Sequence, residues 1–444
     1  MMPRPANGIL AAQKYSFYLL FVLKFPGMSV ETPKMLNYLW ECLSWFSVFV
    51  PLHMSFCFFK TVYDGFELES MDTLSNIGIQ GVWLFCSSIT MLNYKLKSKD
   101  LNDIIDTIED EFLWRSAKGK TYVDMEKIHR CAKFVSMFWQ FFPSFTVVGS
   151  LLRPLFNKPI DLPIPIWYPI DKKNPYQFAL AYFLQAWAQI IVVCSFAVGS
   201  SFFYSFGLLC SGQFNITRCA LKNLIFTSGV YKRFSETLSD NYEPDSGEYH
   251  LATERRDMNF ARKRFESSEN FLLKDIENIQ PEASKDLCAK DIKKFRAALK
   301  KAVQHHYILI RLCGMMEKFL NFFALLRVLE VTLQMCFMAF VYVRTSDFFV
   351  LLFGVLAAVD LFLLTYPAEY ISEQNNLIGS SLMMGPWYLV SKYFRNDFLI
   401  IIMFSQQPIQ FTAGKILPLN ADRLRQAITT AFSYYTLLSS FDEG

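Results

Sequence analysis

The sequence predicts an all-α membrane protein with seven transmembrane helices, its N-terminus intracellular and its C-terminus extracellular. Three observations carry that reading. Hydrophobic residues make up 52% of the 444, aromatics 17%, and 45 residues are Phe, a surplus over what an ordinary soluble core takes up. Seven stretches are predominantly apolar over the length of about 20 residues that crosses a bilayer: roughly 36–62, 73–94, 134–154, 178–208, 314–343, 347–372 and 419–441. Charge gathers between them. The mean hydropathy of +0.22 is modest because residues 231–302 alone hold 15 Lys/Arg and 14 Asp/Glu.

Residues 1–35 read as an N-terminal cytoplasmic or membrane-surface segment. The apolar run YSFYLLFVLKFP is flanked by Lys14, broken by Lys24 and lacks a small-residue cleavage site. An amphipathic segment lying on the inner surface fits this better than a cleaved signal peptide. The 63–72 connection carries Asp64, Glu67, Glu69 and Asp72 without Lys or Arg, whereas 95–133 carries nine Lys/Arg. Basic loops stay on the cytoplasmic side. That sets the N-terminus inside and, after seven crossings, the C-terminus outside.

Spans three and four are joined by NKPIDLPIPIWYPIDKKNPYQF, residues 157–178. Pro159, Pro163, Pro165 and Pro169 forbid a helix here. Trp167 and Tyr168 suit a membrane interface. The loop is either a surface anchor or a lid over an outward-facing cavity. After span four the chain turns soluble in character, with SETLSDNYEPDSGEY (236–250) as a flexible linker. A charged helix then turns apolar through VQHHYILI and runs into span five without a break. Residues 385–420 hold one apolar helix, about 386–404, interrupted by Lys392, Arg395 and Asp397. It is too interrupted to cross, and reads as a cytoplasmic packing helix that joins subunits.

Several classes are excluded. The sequence holds no GxxxxGK[ST], HExxH, paired CxxC or GxSxG motif, so no catalytic constellation is in sight. Cytoplasmic charge is balanced, which argues against nucleic acid. His305 and His306 are adjacent and point to different faces of a helix, so they do not chelate one ion; no metal or cofactor is expected. The ten Cys avoid the extracellular connections and give no disulfide framework. The sequon Asn215-Ile216-Thr217 falls on the cytoplasmic side and is expected to be unused.

Polar residues inside the spans carry what chemistry there is. Arg327 and Glu330 lie near the middle of span five and Asp360 near the middle of span six. A short turn at 344–346 makes these spans antiparallel neighbours. Intramembrane charges are usually paired, so Arg327 and Asp360 are expected to meet, as a packing pair or as a gating element. In the outer half of span four, Tyr182, Gln185, Ala186 and Gln189 share one face at i, i+3, i+4 and i+7. Span two likewise aligns Asn76, Gln80, Trp83 and Ser87. Span three is bent by Pro143 and carries Ser144, Val147, Val148 and Leu151 above the bend. These faces either line a mostly apolar small-ligand cavity or merely hydrogen-bond between helices.

The last helix places Thr429, Ser433, Thr436 and Ser440 on one stripe, interrupted by Leu437 and Phe441. Hydroxyls allow close helix packing. Hydroxyls interleaved with large apolar groups also suit a pore with a dewetting gate, which several subunits around an axis would enclose.

The chain resembles the insect odorant receptors. The resemblance rests on VQHHYILI before span five, the segment from Trp387 to Pro418 with SQQPIQFTAGKI, the loop DLPIPIWYPID and the ending AFSYYTLL. Related gustatory receptors end in a Thr-Tyr and Gln-Phe pattern; here SYYTLLSSF has Ser433 and Ser440 in place of the Thr and Gln, which favours the odorant branch. The resemblance implies an odorant-gated, non-selective cation channel subunit in the plasma membrane of a sensory neuron. It implies a heterotetramer with the odorant co-receptor, contacts with lipid and permeating cations, and no nucleic acid. A small volatile ligand would sit among spans two, three, four and six, at the faces above together with Phe349 and Phe353. The extended helices 5–7 would form a cytoplasmic anchor, and Leu437 and Phe441 match the gate by position. The expected organisation is thus 1–35 at the surface, 36–210 with helices 1–4 and the ligand, 211–305 as cytoplasmic loop, 306–420 with helices 5–6 and the anchor, and 421–444 as the pore-lining helix. A gustatory-type or co-receptor-like channel, and less favoured a G-protein-coupled-type receptor, remain the alternatives.

Overall fold

The computed structural model describes residues 34–65, 71–113, 115–116, 123, 125–156, 162–164, 166–170, 174–230, 287–345, 348–385 and 387–442. The segment 1–35 lies almost wholly outside the described residues, as does the linker 236–250. So do the side chains of Asn76, Phe349, Phe353, Ser440 and Phe441.

The apolar stretches fold as helices: α1 (Lys34–Gly65), α2 (Met71–Leu96), α4 (Glu126–Phe156), α5 (Pro175–Val193) continuing into α6 (Gly199–Lys222), α8 (Ala289–Thr345), α9 (Phe348–Met383) and α11 (Ala421–Asp442). Three shorter helices intervene: α3 (Ser98–Glu111), α7 (Leu224–Thr227) and α10 (Ser391–Ser405). Among the described residues, four helical segments are long and apolar enough to cross a membrane: Glu41–Asp64, Pro175–Lys222, Ala289–Ala339 and Gly354–Met383. α11 falls short of that hydropathy because Asp422, Arg423 and Arg425 occupy its first turns and hydroxyls its middle.

Lengths decide the architecture. A 57-residue α8 is about 85 Å long, far more than the ~30 Å of bilayer hydrocarbon. α9 has 36 residues, and α5–α6 run together over 48. These rods extend past any membrane, and their overhanging parts pack on one another and on α10 in a single buried cluster. Phe295 of α8 meets Phe394 of α10 at 4.5 Å between ring centroids. Residues 211–230, read from sequence as loop, instead continue α6 and α7, with Gln213, Phe214, Ile216 and Leu221 buried. Small residues explain this. In GSSFFYSFGLLCSG the Gly and Ser positions let neighbours approach closely. A Cβ on Gly207 would sit 2.1 Å from the Pro367 side chain of α9. The sequon is part of this packing: Asn215 Oδ1 accepts from Arg218 at 3.1 Å, and Thr217 is buried.

The other faces are greasy and open. Phe134, Phe138, Phe141 and Phe145 are exposed along α4, and Phe49, Phe56 and Phe59 along α1. Such a belt suits lipid rather than water.

A two-stranded hairpin precedes the last helix. β1 (Thr412–Ala413) pairs antiparallel with β2 (Leu417–Pro418), Thr412 opposite Pro418. Its turn residues Gly414 and Lys415 have φ of +64° and +60°, the two positive values of a tight primed turn.

Candidate functional site

Neighbouring ends of α1, α2 and α5 are roofed by the proline-rich loop. Gln185 is fully buried on α5, and its amide reads the loop backbone twice. Ile164 N–H donates to Oε1 at 3.0 Å, and Nε2 donates to Ile164 O at 3.3 Å. Ile166 is driven into the bundle beside Met54, Phe58, Leu84 and Ala188. Trp167 N–H donates to Thr61 Oγ1 at 2.8 Å, while its ring stays half out in solvent or lipid, with Lys60 Nζ 5.7 Å from it. Tyr168 OH lies 3.2 Å from His53 Nε2; burial pushes its phenol up to about 12, so it remains a donor at any physiological pH. The loop is thus pinned over the bundle.

Beneath it, the candidate faces are partly joined. Tyr182 OH donates to Leu151 O, tying α5 to α4 at 2.5 Å. Ser87 of α2 shares a 2.7 Å hydrogen bond with Ser195, in the π-turn Cys194–Val198 between α5 and α6. Gln189 Nε2 is buried and has no hydrogen-bond partner, a polar group left for something else to satisfy. Gln80, Trp83, Val147 and Ala186 are half-buried. Ser144 and Val148 are exposed, and Ser144 Oγ donates within its own helix to Gln140 O at 2.7 Å. A cavity of about 470 Å³ opens at the far end of α9, between Gly379, Met383 and Ile402, away from these faces.

Deeper in, Arg327 reaches Asp360 through Nε and Glu330 through NH1, the latter at 3.0 Å. Its guanidinium lies 4.2 Å from the Phe196 ring centroid in the π-turn. All three charged groups are buried. Among the described residues no group of His, Cys, Asp and Glu is arranged to hold a metal.

On α11 the hydroxyls of Thr429, Ser433 and Thr436 are exposed, each donating back to its own helix. Leu437 is exposed beside them. The helix meets the rest of the chain through Ala427 and Ala431, its buried residues among those described, through the half-buried Leu424, and through Tyr435, whose ring lies 6.3 Å from that of Tyr342 on α8.

Two functional-looking carboxylates escaped the sequence reading. Glu317 of α8 accepts from Thr412 N–H at 2.9 Å and from the Thr412 hydroxyl. Glu369 of α9 accepts from Ala421 N–H at 2.8 Å. Unlike Asp360 in mid-span, each sits near another charge at the edge of an apolar run, Glu317 beside Lys318 and Glu369 four residues before Glu373, which hid it among ordinary solvated acids.

Membrane-length helices, a bundle roofed by a loop and a buried charge cluster define a multi-pass membrane protein. Residues 81–432 match the sequence model of the family described as 7tm odorant receptor, and the chain belongs to that family. It is 27% identical over 405 residues to odorant receptor 83a of Drosophila melanogaster, covering 89% of this chain and 86% of that one. Putative odorant receptor 85e of the same fly is 26% identical over 399 residues, covering 88% and 82%. The structure of the insect olfactory receptor OR5 from Machilis hrabei superposes with a TM-score of 0.67 at 13% identity, over 97% of this chain and 98% of that one. The same receptor in complex with eugenol gives 0.64, over 97% of each chain.

Proposed function

We propose that the chain is the odorant-binding subunit of a ligand-gated, non-selective cation channel, assembled as a heterotetramer with the odorant co-receptor in the plasma membrane of a sensory neuron. The observation that carries this reading is α11. A helix that packs on its own chain through Leu424, Ala427, Ala431 and Tyr435, and leaves the Thr429, Ser433 and Thr436 hydroxyls exposed beside Leu437, is suited to line an axis shared with other subunits. Seven crossings then place the N-terminus inside and the C-terminus outside.

The ligand is a small, mostly apolar volatile. The eugenol complex of the Machilis receptor supports that class. It occupies the outer bundle beneath the proline-rich roof, where Tyr182, Gln189 and Trp83 supply the few polar handles. Burial at about 25 cal/mol per Å² supplies most of the affinity, so broad tuning is expected. Binding shifts the population toward the open arrangement.

The test is a current recording from cells expressing the chain with and without the co-receptor, under a panel of volatile esters, terpenes and alcohols. Odorant-evoked cation current only with the partner supports the reading. Current from the chain alone makes it a self-sufficient or co-receptor-like channel. Surface expression without current in either case counts against the channel.

A further inference from the structure

We propose that Glu317 and Glu369 are positioning residues for gating, a two-point carboxylate latch that fixes where the last helix begins. The inference rests on the channel reading only for its gating clause; the latch itself stands on geometry.

The connector before α11 is held more firmly than α11 itself. Phe411, Ala413 and Leu419 are buried, and Phe411 meets Phe203 of α6 edge-on at 5.2 Å. Gly414 N–H donates to Asn321 O of α8 at 2.7 Å, and a Cβ there would fall 2.6 Å from Leu325. Glu317 sits one turn before Asn321 and takes both the N–H and the hydroxyl of Thr412. A second carboxylate then takes over. Glu369 of α9 accepts from Ala421 N–H, the first residue of α11. Free N–H groups at a helix N-terminus need acceptors, and a negative charge is favoured there. Asn420 Oδ1 supplies one more, accepting from Arg423 N–H at 3.1 Å.

The two anchor points stand on different rods. Glu317 belongs to α8 and Glu369 to α9, and Arg327 bonded to Asp360 joins those rods. Glu317 lies about 15 Å from Arg327 along α8, and Glu369 about 14 Å from Asp360 along α9, both toward the same end of the antiparallel pair. A small slide of α9 against α8 therefore moves one anchor relative to the other. Because α11 rests on the rods through Leu424, Ala427, Ala431 and the Tyr435 ring against Tyr342 of α8, such a slide re-aims the helix. This gives ligand-driven motion among the spans a route to the stripe of Thr429, Ser433 and Leu437.

The test pairs two readouts on Glu317→Gln and Glu369→Gln, near-isosteric changes that keep an acceptor and remove the charge. Glu317→Asp and Glu369→Asp serve as the conservative variants. Hydrogen–deuterium exchange on purified protein reads the latch. Glu317→Gln should speed exchange at Thr412, and Glu369→Gln at Ala421, by about fivefold, the loss of charge assistance to one hydrogen bond. The Leu419 amide, bonded to Phe411 O, serves as reference under Glu369→Gln. Odorant-evoked current with the co-receptor, at matched surface expression, reads gating. The activation midpoint should shift by about the same factor with single-channel conductance unchanged, and the Asp variants should recover part of the shift. Unchanged exchange in both Gln variants overturns the latch whatever the currents do. Faster exchange with wild-type activation overturns its role in gating. Faster exchange in a protein whose wild type passes no current sustains the latch and refutes the channel instead.

Discussion

Arg327 of α8 binds Asp360 of α9 through Nε while NH1 lies 3.0 Å from Glu330 on its own helix. One cation thus faces two carboxylates in a buried setting, and Asp360 Oδ1 has no hydrogen-bond partner. Removing the cation leaves two uncompensated acids, the most damaging way to break a buried pair. Arg327→Met should therefore destabilise by about 3–5 kcal/mol, seen as loss of surface expression and a lower thermal midpoint in detergent. Asp360→Asn keeps a hydrogen-bonding group and one acid for Arg327, and should cost less, about 1–3 kcal/mol. Wild-type stability in Arg327→Met would show that the pair does not hold α8 to α9.

A second site couples the overhanging rods to pH. His306 lies 2.9 Å from Asn375 Oδ1, and the Asn375 amide donates to Ser405 O and Gln407 O. Burial lowers both histidines, and the neighbouring His306 lowers His305 further, to about 4. The sign follows. A His whose folded value is depressed binds fewer protons folded than unfolded, so its effect on stability is nil above the unfolded value of 6.5 and becomes destabilising as pH falls toward about 4. The thermal midpoint of purified protein should drop across that window, and His305→Leu should flatten the drop. A slope unaltered by His305→Leu would assign it to other groups.

How far the sequence led depended on range. Span positions came from apolar runs, a local property, and the helices lie where those runs are. The Arg327–Asp360 meeting was legible because a short turn and two isolated charges leave few alternatives. Packing between distant segments was not legible. Nothing local says that α6 continues to Lys222, since its Gly and Ser residues act only against Pro367 and other partners distant in the chain. Nor does periodicity reveal that Gln185, on a face picked for ligand, spends its amide on Ile164. The Ser144 and Val148 face was aimed by the Pro143 bend, yet both side chains point outward; helical phase fixes neighbours on one helix, not which side meets the bundle.

The Gln185 contact makes its own prediction. Gln185→Leu fills similar space but leaves the Ile164 N–H and C=O without their partner, a penalty of about 1–3 kcal/mol borne by the loop. Cysteine-reactive labelling at Ile164→Cys should become faster in Gln185→Leu, and odorant sensitivity should shift by about tenfold in a concentration–response recording. Unchanged labelling would mean that Ile166 alone holds the roof.

The hairpin turn bears backbone strain at a residue that is not glycine. Lys415 has φ +60°, a region that disfavours side chains by about 1 kcal/mol. Lys415→Gly should relieve it and raise the thermal midpoint slightly. Gly414→Ala should do the reverse and more, because its Cβ would meet Leu325 at 2.6 Å. Equal stability of the two variants would show that the turn tolerates either residue.

The pore reading is tested most directly at Leu437. Its side chain is exposed on α11 near the Ser433 and Thr436 hydroxyls. If neighbouring subunits bring copies of this position together, the closed state buries Leu against Leu, worth on the order of 1–2 kcal/mol per side chain. Leu437→Ser removes that burial and wets the constriction. The balance should then move about tenfold toward open for each 1.4 kcal/mol lost, so cells carrying the variant with the co-receptor should show raised current before odorant is added. Leu437→Ile keeps the apolar volume and should leave the basal current low. A Leu437→Ser channel that stays silent without odorant, at normal surface level and normal odorant response, would remove Leu437 from the gate and leave the hydroxyl stripe as a packing surface.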